Sequence, residues 1–129
     1  MDDSEAVSRA LPLVLEMARG SDASVTVLHV REREVGCCGG SWEAPMRCSP
    51  DELVADAVQL FRSAGVEVRS QIVGSAGRAA EAILDAADQN EADVLVAGWH
   101  PRHTFGGLLE KSVGQKLAER ANRPVLLVP

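Results

Sequence analysis

Four apolar runs punctuate the chain: SVTVLHV at 24–30, VEVRSQIV at 66–73, DVLVA at 93–97 and PVLLV at 124–128. Each follows a stretch with helical periodicity, so the order is helix then strand, four times over. No other feature narrows the fold as much. Three of the runs are apolar almost throughout, which suits strands buried on both faces; VEVRSQIV alternates and suits a position near a sheet edge. Helices interleaved with such strands predict an α/β fold, a doubly wound parallel sheet between two helical layers, joined by right-handed crossovers.

The helical stretches carry their own start and stop signals. Residues 4–19 place Ala6, Ala10, Leu13, Val14 and Met17 on one face, with Asp3 or Ser4 as cap and Gly20 as the stop. Pro12 lies inside this stretch and predicts a kink, since it lacks an N–H. SPDELVADAVQLFRSAG opens with Ser49 as cap and Pro50 at the first helical position; Leu53, Ala57, Leu60 and Phe61 form its apolar stripe and Gly65 ends it. GRAAEAILDAADQN turns Ala79, Ile83, Ala86 and Ala87 inward, and residues 107–121 do the same with Leu108, Leu109, Val113, Leu117 and Ala121. Residues 31–49, REREVGCCGGSWEAPMRCS, lack any period and read as one long loop.

Length and composition bound the function. A chain of 129 residues is one domain, 1–129, with one core. Tyrosine is absent and two Trp and two Phe are the whole aromatic content, so aliphatic side chains build the core and no stacking platform for single-stranded nucleic acid exists. A formal charge of −6 excludes broad electrostatic binding to nucleic acid or anionic membrane. No apolar run nears the roughly 20 residues that cross a bilayer, and the acidic start MDDSEAVSRA lacks the order of a signal peptide. The expected location is cytoplasmic. Cys37, Cys38 and Cys48 are odd in number and carry no export signal, which argues against a disulfide framework.

Parallel sheets bind ligands outside the carboxyl ends of their strands. The stretch GWHPRHTFGGLLEKSVG, 98–114, leaves DVLVA at that end and is therefore the place to look for a site.

At this point the chain resembles the universal stress protein family. DDSEAVSRALPLVLEMA, SVTVLHV, DVLVAGWHPRHTFGGLLEKSVGQKLAER and NRPVLLVP carry the likeness, and their order and spacing cover nearly the whole chain. The resemblance implies a three-layer sandwich of the adenine nucleotide alpha hydrolase-like kind with strand order 3-2-1-4-5. It also implies pairing into homodimers and a role in stress response. Two features depart from the family pattern. Asp2-Asp3-Ser4 matches an Asp-Gly-Ser turn that follows a central first strand in the family, and that strand is absent ahead of it. The remaining strands would then form two pairs without their common neighbour, at about 1–3 kcal/mol for each buried backbone group left unsatisfied. Residues upstream of Met1, or another segment, are expected to fill the gap.

The second departure lies in the family's nucleotide pattern, G-x2-G-x9-G-[S/T]. Its first glycine falls on Gly98, the second on Pro101, the third on Lys111 and the hydroxyl on Ser112. A phosphate cradle needs convergent backbone N–H groups. Pro101 offers none, and Lys111 brings a long stem where backbone should approach phosphate. Each lost N–H contact to an anion is worth roughly 1.5–3 kcal/mol, so two defects weaken binding about a hundredfold or more.

If a nucleotide binds, the resemblance puts Asp2 and Val30 near adenine and ribose, and Gly98, Ser112 and Val113 near the phosphates. Lys111, Arg102, His100 and His103 could supply charge, though a point charge does not recreate that geometry. The structural alternative is a plain loop in which Ser112 bonds a carbonyl of its own helix. His100 and His103 with Cys37, Cys38 and Cys48 raise a metal- or redox-responsive variant, but C-C-x9-C is not a usual zinc spacing. His29 sits in an apolar strand as a core histidine. No nucleophile stands beside a base, so no catalytic residue and no enzyme activity is expected. The last strand, Val125, Leu126, Leu127 and Val128, reads as a dimer edge, both from its apolar run and from the resemblance. The reading is a homodimeric regulatory or interaction module with an altered nucleotide pocket and weak or no ATP binding. The alternative is an ATP- or adenine-nucleotide-binding member of the family.

Overall fold

The computed structural model describes residues 5–32, 34–35, 41–42, 49–99 and 111–129. In chain order the elements are α1 (Glu5–Ser21), β1 (Val25–Glu32), β2 (Glu34–Val35), β3 (Ser41–Trp42), α2 (Pro50–Ser63), β4 (Val68–Ser75), α3 (Ala79–Gln89), β5 (Leu95–Gly98), α4 (Val113–Arg120) and β6 (Val125–Val128). Four helices alternate with four principal strands, as the apolar pattern dictates. Within the expected loop, β2 and β3 form a short antiparallel pair, Glu34 opposite Trp42 and Val35 opposite Ser41.

The sheet is split. β1 pairs in parallel with β4 from Val25 opposite Val68 to Glu32 opposite Ser75. β5 pairs in parallel with β6 from Leu95 opposite Val125 to Gly98 opposite Val128. Among the described residues the two pairs are separate sheets. Two strand pairs without a common neighbour match the expectation from the sequence.

α1 and α2 share one core, in which Ala18, Val27, Val54, Ala57, Phe61 and Val66 are buried. The inward face of α1 differs from the expected one. Ala6, Ala10 and Ala18 are buried, whereas Leu13 and Met17 are 42% and 41% exposed. The i, i+4 row of small residues wins because it lets the helix lie close to the strands. α2 shows the same rotation: Val54, Ala57 and Phe61 are buried while Leu60 is exposed. In α3, Ala79, Ala80, Ala86 and Ala87 face in, and Ile83 is half-buried.

Three helices end on the same device. After α2, Gly65 takes φ +77°, its N–H reaches Arg62 O and the N–H of Val66 reaches Phe61 O. This Schellman motif satisfies carbonyls that the helix end would otherwise orphan. Asp22 (φ 53°) after α1 and Glu91 (φ 50°) after α3 occupy the same left-handed position. Gly20 therefore does not stop α1; it lies within the helix, which ends at Ser21. The helix also runs through Pro12 without being broken there.

Arg123 locks the end of α3 to the approach of β6. Its guanidinium donates to Ala87 O at 3.0 Å and Ala92 O at 2.6 Å, and also pairs with Asp88. The side chain is only 15% exposed. Arg123→Ala is expected to cost about 2 kcal/mol, because two part-buried carbonyls lose a charged donor. Urea denaturation measures the loss, and Arg123→Lys restores only part of it, since an ammonium cannot span both carbonyls and Asp88 in one plane.

α3 and α4 are tied at the surface by Arg120 and Glu81. The Glu81 carboxyl is held below its ordinary range, first by a hydrogen bond from its own backbone and then by Arg120. A lowered carboxylate pKa stabilises the fold above the unfolded value, and that contribution fades as pH falls through the folded value.

Candidate functional site

The carboxyl end of β5 is tightly packed. A Cβ placed on Gly98 would lie 3.0 Å from Ala6 Cβ and 3.4 Å from the backbone N of Val7. A side chain at position 98 would therefore press on the first turn of α1, whatever else binds there. On the opposite side α4 approaches through Gly114, where a Cβ would lie 3.2 Å from Leu127 Cδ2, 3.6 Å from Trp99 Cδ1 and 3.8 Å from Gly98 O. Trp99 continues the ladder, its N–H donating to Val128 O at 2.7 Å. The strand end, the start of α1 and the start of α4 therefore converge on one point, as the strand-end rule requires.

Ser112 and Val113 belong to this cluster, at the start of α4. The helix was expected from residue 107; among the described residues it begins at Val113, because Ser112 caps it. Ser112 has φ −62° and ψ 159°, extended rather than helical. Its Oγ accepts from the N–H of Gln115 at 3.2 Å, and its own N–H donates to Gln115 Oε1 at 2.9 Å. This reciprocal capping box consumes two of the donors that a helix N-terminus would offer an anion. The alternative expected for Ser112, a bond to a carbonyl of its own helix, is not what forms: its hydroxyl accepts from an amide.

Lys111 is also committed. Its Nζ lies 2.7 Å from both carboxylate oxygens of Glu119, two turns along α4. Both side chains are more than half exposed, so the pair contributes little to stability. Its consequence is directional: the ammonium is drawn away from the helix start.

Val30 lies in β1, opposite Val73 of β4, and so belongs to the other half-sheet. His29 beside it is 4% exposed, a core position as expected. Val125, Leu126 and Leu127 are half-buried and Val128 is buried, and β6 pairs only with β5 among the described residues. Asp2, Pro101, Arg102, His100, His103, Cys37, Cys38 and Cys48 lie outside the described residues. Among the described residues no group of three or more His, Cys, Asp or Glu side chains could hold a metal ion. In those residues no helix is long and apolar enough to cross a membrane.

Sequence reasoning missed Gln115 and Glu119, the two side chains that occupy the donors of this site. The S-x-x-Q spacing of Ser112 and Gln115 was the available signal.

Solved structures share this fold. A universal stress family protein from Burkholderia pseudomallei superimposes with a TM-score of 0.73 at 24% identity, covering 100% of this chain and 91% of that one. The universal stress protein from Archaeoglobus fulgidus in complex with dAMP gives 0.66 at 21% identity, covering 100% and 92%. A universal stress protein in complex with cAMP gives 0.70 at 23%, covering 99% and 90%. Among curated proteins no sequence match was found. The family model for the universal stress proteins matches residues 1–129, the whole chain. A split parallel sheet between helical layers, with a helix start meeting a glycine at a strand end, agrees with that match, and the chain belongs to the universal stress protein family.

Proposed function

We propose that this protein is a homodimeric, non-enzymatic regulatory or interaction module of the stress response, working in the cytoplasm, whose adenine-nucleotide pocket binds ATP weakly or not at all. The carrying observation is the state of the α4 start. Ser112 and Gln115 satisfy each other, and Lys111 is paired with Glu119. A phosphate would have to displace the capping box, losing two hydrogen bonds worth about 1 kcal/mol each. Pro101 removes a further backbone donor from the family's cradle.

Dimerisation draws support from β6, whose outer edge has no strand neighbour among the described residues. Leu127 reaches under Gly114, and Val128 pairs with Gly98 on the α1 side. The strand's backbone edge and Val125 are what a second copy would meet.

The second reading, a true adenine-nucleotide binder, is favoured by the fold shared with proteins solved with dAMP and cAMP. In it Gln115 swings aside and Lys111 leaves Glu119 for the phosphates. Titration with ATP and magnesium separates the two. Trp99 lies against the α4 start and reports by fluorescence, with thermal shift as an independent readout. A dissociation constant weaker than about 100 μM is expected, some hundredfold above a low-micromolar site. Low-micromolar binding overturns the first reading.

A further inference from the structure

The last turn of α1 borders a cavity of about 460 Å³, lined among others by Ala18, Arg19, Asp22, Ser24, Val66 and Glu67. It is a different place from the cluster around Gly98: Ala6, which touches Gly98, and Ala18 are roughly 18 Å apart along the helix. We propose that this cavity binds a small zwitterion, an α-amino acid with a short apolar side chain, its carboxylate on Arg19 and its ammonium between Asp22 and Glu67.

Two turns build the cavity. Residues 22–24 carry α1 into β1, and residues 64–67 carry α2 into β4. The turns are clamped side by side, since the N–H of Val25 donates to Glu67 O at 2.8 Å. Each is also closed by a bond of its own, Ala23 N–H to Ala18 O at 3.1 Å and Val66 N–H to Phe61 O at 3.0 Å. The frame is therefore set before a ligand arrives, which lowers the ordering cost of binding. Ala18 and Val66 are buried and give the cavity a small apolar floor.

The charges select the ligand. α1 and α2 both end here, and a helix C-terminus carries partial negative charge. Asp22 and Glu67 add two carboxylates to the lining. Such a field repels phosphate and attracts an ammonium. Arg19 is the one cationic side chain of the lining, and its planar fork suits a carboxylate. Among the described residues the side chains of Arg19 and Asp22 form neither an ion pair nor a hydrogen bond, although both line the same cavity. Glu67 is held only by Arg69, at 3.3 Å, in an exposed pair that contributes little. A ligand carrying both charges on neighbouring atoms bridges these groups and lays its side chain on Ala18 and Val66. The volume falls within the range of about 300–1,000 Å³ found for small-molecule sites. No aromatic side chain lines the walls, so a nucleoside finds no ring to stack on. This inference does not use the nucleotide pocket and stands whether or not ATP binds.

The test titrates L-alanine and L-valine into the full chain and follows backbone amide shifts by NMR. Propionate and propylamine, with one charge each, are the controls. Saturable shifts are expected at Ser24, Gly65 and Glu67 and not at Gly98 or Val113, with a dissociation constant of about 1 mM or tighter. Each control should bind about tenfold more weakly or worse. Arg19→Gln and Asp22→Asn should each weaken binding by about tenfold or more. Asparagine tolerates the left-handed turn that Asp22 adopts at φ 53°, so this variant removes the charge and keeps the backbone. An unchanged urea midpoint in either variant shows that recognition, not folding, was lost. Absence of saturable shifts with both amino acids up to about 10 mM overturns the proposal. Equal binding by propionate or propylamine overturns it as well, as does undiminished binding in the two variants.

Discussion

Replacing Pro101 and Lys111 together by glycine tightens ATP–magnesium binding by about a hundredfold, roughly 2.7 kcal/mol. Glycine at 101 returns a backbone donor to the family pattern and frees φ from its ring-locked value near −65°. Glycine at 111 removes the stem that precedes the cap and abolishes the pair with Glu119. The pair is exposed, so its loss costs little stability and the two variants can be compared at equal folding. The Ser112 hydroxyl then has to exchange the Gln115 amide for a phosphate oxygen, donating where it now accepts. Ser112→Ala in the glycine background should therefore reverse part of the gain. It should also cost about 1 kcal/mol of stability from the lost cap. Calorimetric titration decides the matter. A double variant that binds no better than the parent shows that the capping box, rather than the two replaced glycines, keeps the pocket shut.

Much of this could be read from residues alone. α2 is the clearest case: Ser49, Pro50 and Gly65 announce its ends, and the capping box with Glu52 follows the S-x-x-E spacing. The family match was equally legible, because apolar runs and their order survive without knowledge of contacts, and the expectation of two strand pairs followed from that resemblance. Faces of helices were harder. Leu13, Met17 and Leu60 are larger than the alanines and the valine that took their places inward, and hydrophobicity alone favours the larger side chain. Close helix–strand approach favours the smaller one, and nothing local reveals how close a helix will lie. Gly20 misled for a similar reason: it is permissive, but Asp22 adopted the left-handed turn one position beyond Ser21. In the site, Gly98 was legible as a motif glycine, while its reason, the Ala6 contact, depends on tertiary packing. Arg123 carried no signal at all, since its partners Ala87, Asp88 and Ala92 come from the end of α3 and the turn after it, more than thirty residues away.

The core itself offers the largest expected loss of stability. Phe61→Ala should cost about 3–5 kcal/mol, the range for emptying an aromatic position that cannot collapse. Phe61 is 1% exposed and, with Leu117, one of the two largest fully buried side chains. It sits where α1, α2 and β1 meet, among Ala18, Val27, Val54, Ala57 and Val66. All five of these neighbours are alanine or short valine side chains with little length to reach into the void, so much of the cavity persists. In a single domain with total stability of about 5–15 kcal/mol, such a loss takes roughly a fifth or more of what holds the chain folded. Phe61→Leu keeps most of the volume and should cost about 1–1.5 kcal/mol. Leu60→Ala provides the contrast, because the neighbouring side chain is 39% exposed and should change stability by less than about 0.5 kcal/mol. Urea denaturation of the three variants reads all of these at once. Equal losses at 60 and 61 would mean that α2 is turned by one residue, with Leu60 as much a part of the core as Phe61.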